Sequence, residues 1–343
     1  MHSGTSARTS FYSKSGRHIH ESIAVRWARS LGHFQRRLLL LYEHHRREPH
    51  DLENTQHHRP EDGGEEGRLV PPAGGPYSHD IWAPELHFLN GKWYLYFAAD
   101  AGTNRTHRIW VLENASADPL EGEWHMKGMV TDRTDKWAID PSIFENRGKL
   151  YMVWSGWEGD ENGTQNIYIA RLKDPWTVKG RRVKLSSPEY PWEKVGDLVS
   201  KVDPPHIDVN EGPEILKHGN NIFLVYSASA CWTDYYELGM ITANSKSNLL
   251  RPSSWKKSKQ PVFWQSPEAH AFGTGHNTFF KSPDGTQDWI MYHANPEPGQ
   301  GCGKHRAPRA QPFHWNADGT PNFGRPIPLG TSLPRPSGEG TRQ

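Results

Sequence analysis

Cysteine is scarce in this 343-residue sequence: there are two, which excludes a disulfide-dense scaffold and a four-cysteine zinc site. Long apolar runs are missing too. Runs such as residues 38–42, and the longer 93–99, fall far short of the roughly 18 residues of a membrane-crossing helix. Neither charge is in surplus, with 40 Lys and Arg against 39 Asp and Glu. That balance excludes a strongly basic nucleic-acid binder and an acidic disordered chain. The N-terminus shows no apolar core followed by small residues, so no intact signal peptide is expected there. What the chain has in quantity is Trp, 15 of them, with 32 Gly and 27 Pro. That composition predicts a turn-rich, aromatic-rich β protein suited to carbohydrate binding.

The texture is uneven. Residues 1–70 hold 9 of the 20 His but a single Trp, Trp27, and charge clusters such as Glu43-His44-His45-Arg46-Arg47-Glu48. No strand alternation runs through them; the spacing of Ile23, Trp27, Leu31 and Phe34 allows one short helix. From Pro71 onward, short aromatic β-runs alternate with Gly, Pro, Asn and Asp turns. The expected division is an irregular segment over 1–70, a β domain over 71–325, and a loose Pro- and Gly-rich tail over 326–343.

Four segments of the β domain resemble one another: Gly91-Lys-Trp-Tyr-Leu-Tyr-Phe97, Gly148-Lys-Leu-Tyr-Met-Val-Trp154, Asn220-Asn-Ile-Phe-Leu-Val-Tyr226 and Gln287-Asp-Trp-Ile-Met-Tyr-His293. Their starts lie 57, 72 and 67 residues apart. Each is preceded by a second β-run with a polar opening, led by Asp80, Ile139-Asp140, Asn210-Glu211 and Gly275-His276. Units of this length with three or four strands predict a β-propeller, in which the innermost strand of each blade lines a central channel. Polar residues opening those strands would then converge at one end of the channel.

In that order and spacing, His79-Asp80-Ile-Trp-Ala-Pro-Glu85, Ala138-Ile-Asp140-Pro141, Asn210-Glu211-Gly-Pro213 and Gly275-His276-Asn277 resemble glycoside hydrolase family 43, over roughly residues 71–325. Trp154-Ser-Gly-Trp-Glu-Gly-Asp160, Tyr226-Ser-Ala-Ser229 and Cys231-Trp-Thr-Asp234 resemble its α-L-arabinofuranosidases acting on arabinan. The resemblance implies an all-β, five-bladed β-propeller and an inverting mechanism with three carboxyl groups. Inversion needs an acid to protonate the leaving oxygen and a base to activate water on the opposite face, roughly 6.5–9.5 Å apart. Glu211 matches the general acid. Asp140 matches the residue that orients it and raises its pKa, since like charges disfavour a second ionisation.

Other positions carry two readings each. His276 is either a hydrogen-bonded buried His or the neighbour of a structural calcium ion near the channel axis, a cation that wants several oxygen ligands. Trp82, Trp154 and Trp232 either stack on sugar or pack blades. Asp80 and Arg309 are candidate sugar contacts, Arg309 being equally a plain surface residue. Glu85 faces either the channel or a strand edge. Cys231 and Cys302 either pair or remain thiols. Three sequons, at Asn104, Asn114 and Asn162, suit a secreted glycoprotein.

The family's first blade, with an Asp-Pro-Trp-Val-Ile-like strand carrying the general base, has no counterpart in the chain as it stands. Read one nucleotide out of phase, permitted codons for Arg29 through Tyr42 encode D-P-W-V-I-S-N-G-D-Y-Y-Y-Y-T. Those that follow, to Thr55, encode S-T-T-G-G-N-R-M-T-W-K-T, and Glu65 through Leu69 encode R-K-V-V-W. The first blade is therefore expected to be hidden by a frameshift or a mispredicted splice.

The expected function is exo-acting α-L-arabinofuranosidase on arabinan or arabinoxylan side chains. The alternatives are a β-xylosidase of the same family or, since the base is missing, a non-catalytic sugar-binding propeller. A monomer, extracellular and without a required cofactor, is the accompanying expectation; neither nucleic acid nor membrane is an expected partner.

Overall fold

The computed structural model describes residues 72–197 and 205–339. The short helix and the displaced first blade expected within residues 1–70 lie outside the described residues. Sixteen strands follow in four antiparallel groups, each in sequence order. The first group holds β1 (His79–Leu89), β2 (Lys92–Asp100), β3 (Arg108–Asn114) and β4 (His125–Met129). The second holds β5 (Ala138–Asn146), β6 (Lys149–Gly156), β7 (Thr164–Asp174) and β8 (Thr177–Ser186). The third holds β9 (Asp208–His218), β10 (Asn221–Ala228), β11 (Glu237–Asn244) and β12 (Trp255–Lys257). The fourth holds β13 (Thr278–Lys281), β14 (Asp288–Ala294), β15 (Ala307–Trp315) and β16 (Pro321–Asn322). These are propeller blades, and the four sequence repeats are their second strands, β2, β6, β10 and β14.

Local chemistry sets the hairpins. Asn90-Gly91 joins β1 to β2 with φ of 51° and 80°, the double positive φ that a two-residue type I′ turn requires. Period-2 alternation then sends side chains to both faces of each blade. Tyr94 and Tyr96 of β2 pack with Ile143, Met152 and Trp154 of the second blade. Val153 and Ile167 meet Leu224 and Tyr226 of the third. Phe223 and Val225 meet Ile290 and Tyr292 of the fourth. Each blade is therefore apolar on both sides, which explains the aromatic wealth of the sequence. A short parallel pairing, Thr164 with Asp208 and Gln165 with Val209, stitches the second blade to the third.

First strands of successive blades touch one another, which places β1, β5, β9 and β13 innermost. The segment after Pro326 lacks strands, as expected, but through residue 339 it is tied down rather than loose. The Ile327 and Ser337 amides donate to the side-chain oxygens of Gln311 (3.1 Å) and Gln287 (3.0 Å), and the Leu329 amide to the Ala269 carbonyl (3.2 Å).

Candidate active site

The innermost strands share an irregularity. Ala83, Asp140, Gly212 and His276 occupy equivalent places and all have positive φ, 43° to 53°. Pairing breaks around the first three, between Trp82 and Glu85, Ile139 and Ser142, and Glu211 and Glu214. Such bulges re-aim side chains beside active sites. Three of these residues are not glycine, and a left-handed backbone there is strain of about 1–3 kcal/mol each, the kind that collects at functional sites.

The bulges bring Asp140, Glu211 and His276 together. The Gly212 amide donates to Asp140 Oδ2 at 3.0 Å, tying the residue beside Glu211 to the neighbouring blade's carboxylate. A Cβ on Gly212 would lie 3.4 Å from the His276 ring, so that ring covers the turn. Asp140 is buried, with 6% of its surface exposed. Burial pushes its pKa up to about 6, against the pull of the Gly212 amide and the Arg306 guanidinium. Glu211 is pushed up to about 7, first by burial and then by Asp140, with His276, the Tyr236 hydroxyl and Arg306 opposing. The Tyr236 hydroxyl donates to Glu211 Oε1 at 2.9 Å.

A layer deeper, Glu85, Ser142 and Glu214 follow the bulges of their strands. The Ser142 hydroxyl donates to Glu214 Oε2 at 3.0 Å, and Glu85 Oε2 meets His87 Nε2 at 2.9 Å. Burial raises Glu85 to about 8 and raises Glu214 strongly. Glu85 thus faces the channel rather than a strand edge.

The remaining expected contacts divide. Trp82 is exposed and stacks on the buried His107 ring, centroids 3.9 Å apart. Exposed Asp80 lies beside it, its carbonyl bonded by His107 Nε2 at 3.1 Å. Trp232 is half-buried, its indole donating to the Asp197 carbonyl at 2.9 Å, next to Cys231. Two expectations are corrected. Trp154 is 4% exposed; it stacks on Tyr168 of its own blade and joins the cluster shared with Tyr94 and Tyr96 of the first, because strand alternation puts it on the face of Met152. Arg309 is buried with its guanidinium on the carbonyls of Ala269 and His270, so it fastens a loop; the cation acting on Asp140 and Glu211 is Arg306, three residues earlier. Arg306 lies just before the strand that carries Arg309, and nothing local says which of the two turns inward. Tyr236 carried no sequence signal at all.

Cys231 and Cys302 form a disulfide, Cα atoms 5.2 Å apart. Among the described residues, no three His, Cys, Asp or Glu side chains stand together as a metal-binding group. His276 alone does not fit the oxygen-rich set that calcium needs.

A carboxyl held protonated near neutrality beside a second carboxyl, at the bulged ends of channel-lining strands, is the equipment of a glycoside hydrolase. The sequence pattern of glycosyl hydrolases family 43 matches residues 67–321, and the chain belongs to that family. It is 39% identical over 265 residues to an extracellular exo-α-(1→5)-L-arabinofuranosidase of Streptomyces avermitilis, covering 76% of this chain and 53% of that protein. It is 38% identical to an α-L-arabinofuranosidase of Humicola insolens, covering 75% and 52%. The chain thus spans about half the length of these curated relatives. The crystal structure of an α-L-arabinofuranosidase from Lactobacillus brevis superposes with a TM-score of 0.68 at 38% identity, covering 76% of this chain and 81% of that one.

Proposed function

We propose that this chain is the propeller of an exo-acting α-L-arabinofuranosidase that removes terminal arabinose from arabinan or arabinoxylan side chains with inversion. Glu211 is the general acid and Asp140 the residue that orients it and keeps it protonated. The observation that carries the reading is the pairing of these two carboxyls, Glu211 raised by burial and then by the charge of Asp140, where the bulged strands converge. Trp82, Asp80 and Trp232 supply sugar contacts, and Arg306 balances the charge of the pair. Hydrolysis of this kind uses carboxyls and water and needs no cofactor. Arabinose is favoured over xylose by the names of the relatives.

The general base belongs to the first blade, which we assign to the codons of residues 29–69 in the shifted frame. Sequencing the transcript across residues 20–75 should read Asp-Pro-Trp-Val-Ile in one continuous frame; a message encoding the residues as they stand would leave a sugar-binding remnant. The disulfide suits an oxidising, extracellular setting. Asn104 is exposed and open to glycosylation, whereas Asn114, 1% exposed and bonded to the Glu121 carbonyl, is not. The protein acts as a monomer.

The test is turnover of aryl glycosides by the product with its first blade in frame. Aryl α-L-arabinofuranosides should be cleaved and β-D-xylosides spared, with Glu211→Gln inactive on substrates having poor leaving groups. Preference for the xyloside, or an unchanged Glu211→Gln variant, contradicts the proposal.

A further inference from the structure

Between the second and third blades, one glutamate collects hydrogen bonds from donors on every side. Glu193 is fully buried and closes the short turn Pro191–Glu193 that follows β8. Its Oε1 meets Lys257 Nζ of β12 at 2.8 Å, the Tyr226 hydroxyl of β10 at 2.8 Å and Asn210 Nδ2 of β9 at 3.1 Å. Its Oε2 accepts from the backbone N–H groups of Glu189 at 2.8 Å and Tyr190 at 3.0 Å. An ammonium, a side-chain amide NH₂ and a backbone N–H donate and cannot accept. Each oxygen of Glu193 therefore faces two groups that only donate. A side chain bringing a proton of its own, a glutamine or a protonated acid, would set donor against donor at one end or the other. The niche requires a carboxylate, and Lys257 supplies the countercharge that a buried carboxylate needs.

Of these partners, Asn210 leads to the site. It is fully buried, and both ends of its side chain are engaged. Besides Glu193, Nδ2 reaches the Val209 carbonyl at 3.0 Å, which only accepts and so fixes which way the amide points. Oδ1 accepts from Ser186 Oγ at 2.8 Å, and the Asn210 carbonyl accepts from Ser155 Oγ at 2.9 Å. The next residue is Glu211. Strand alternation sends the two side chains to opposite sides, so the grip on Asn210 sets the angle at which Glu211 leaves the strand. The ladder cannot set it alone, because pairing of β9 with β10 breaks between Glu211 and Glu214.

We infer that the Glu193 carboxylate, acting through Asn210, sets the place of Glu211 in the channel, which makes Glu193 and Asn210 positioning residues for proton delivery. The inference rests on the reading of Glu211 as the general acid. An acid must stand within hydrogen-bond reach of the oxygen it protonates, and a misplacement of about 1 Å costs roughly 10²-fold.

The test compares Glu193→Gln and Asn210→Ala in the full chain. The Glu211 carboxyl, titrated by ¹³C NMR and assigned with Glu211→Gln, reports its own place. Burial and Asp140 hold it up, and they outweigh its bond from Tyr236. Released from its anchor, Glu211 moves toward water and away from Asp140, so its pKa should fall by about one unit in both variants. Asn210→Ala changes no charge, so a fall in Glu193→Gln alone is the field of a lost charge and overturns the inference. A fall in Asn210→Ala alone, or in neither, overturns it as well. If Glu193→Gln does not fold, Lys257→Met decides: a displaced Glu193 lowers the Glu211 pKa, whereas the bare loss of a cation raises it.

Kinetics of the full chain with azide, a nucleophile that needs no base, give the second readout. Glu193→Gln should lower kcat for phenyl α-L-arabinofuranoside, whose leaving group needs the proton, by roughly tenfold or more. KM should stay near the parent value, and so should the rate of dinitrophenol release. Equal slowing of both leaving groups marks a structural role only and overturns the inference. A moved titration beside phenol release that Glu211→Gln does not slow would sink the reading of Glu211 as the acid and leave its placement by Glu193 standing. Phenol release that depends on Glu211, beside an unmoved titration, does the reverse.

Discussion

Asp140 and Glu211 are both acids, yet their surroundings make them different. Burial raises both, Asp140 to about 6 and Glu211 to about 7; the Gly212 amide holds Asp140 back, whereas Glu211 is pushed further up by Asp140 beside it. Because Asp140 raises Glu211, Asp140→Asn should lower the alkaline limb of activity from near 7 toward the ordinary carboxyl range, as a pH–rate profile would show. A limb that stays put would mean that burial alone sets it. At this scale the sequence was readable where a family motif marks the residue: it singled out Glu211 and Asp140, which the structure brings together. It was not readable where the partner carries no motif of its own. Tyr236 reaches Glu211 from the loop before β11, and Arg306 acts on it from the loop before β15. Trp154 was left between two readings, sugar stacking and blade packing, although its alternation with Met152, present in the sequence, already placed it on a packing face.

Among elements, the bulge matters most. The strands themselves follow from β-branched and aromatic runs closed by Asn-Gly and Gly turns, and the sequence placed all four second strands. The positive φ before Pro84, Pro141 and Pro213 is hidden from sequence reading, since a residue preceding proline ordinarily takes an extended backbone. It is tertiary contact between first strands that holds it. The close approach of the segment before β13 to the Tyr236 ring depends on Gly275. Gly275→Ala should displace Tyr236 and destabilise by about 1–3 kcal/mol, the usual cost of overpacking, visible as a lower thermal midpoint together with a raised Glu211 pKa. A variant as stable as the parent, with Glu211 unmoved, would show that the ring has room to spare.

For the molecule as a whole, the channel sets the pH response. Glu85 rises to about 8 and Glu211 to about 7, both because burial disfavours the carboxylate. Their folded pKa values lie above the unfolded one of about 4.3 for glutamate. The stability they contribute is therefore complete below that value and is lost as pH climbs through 7 and 8. Glu85→Gln should flatten that decline when urea unfolding is compared at pH 5 and pH 9; an identical decline would remove Glu85 from the account. Blade number was legible from the repeat for four blades; the expected first blade falls within residues 1–70, outside the described residues. The central claim is that Glu211 protonates the leaving group of an arabinofuranoside while the base is missing from the chain as it stands. Its most direct measurement is phenol release from phenyl α-L-arabinofuranoside by the full chain, with and without azide, beside Glu211→Gln. Azide needs no base, so the account predicts release that azide increases by roughly 10²-fold or more and that Glu211→Gln abolishes. No release with azide, or equal release from the variant, would contradict it.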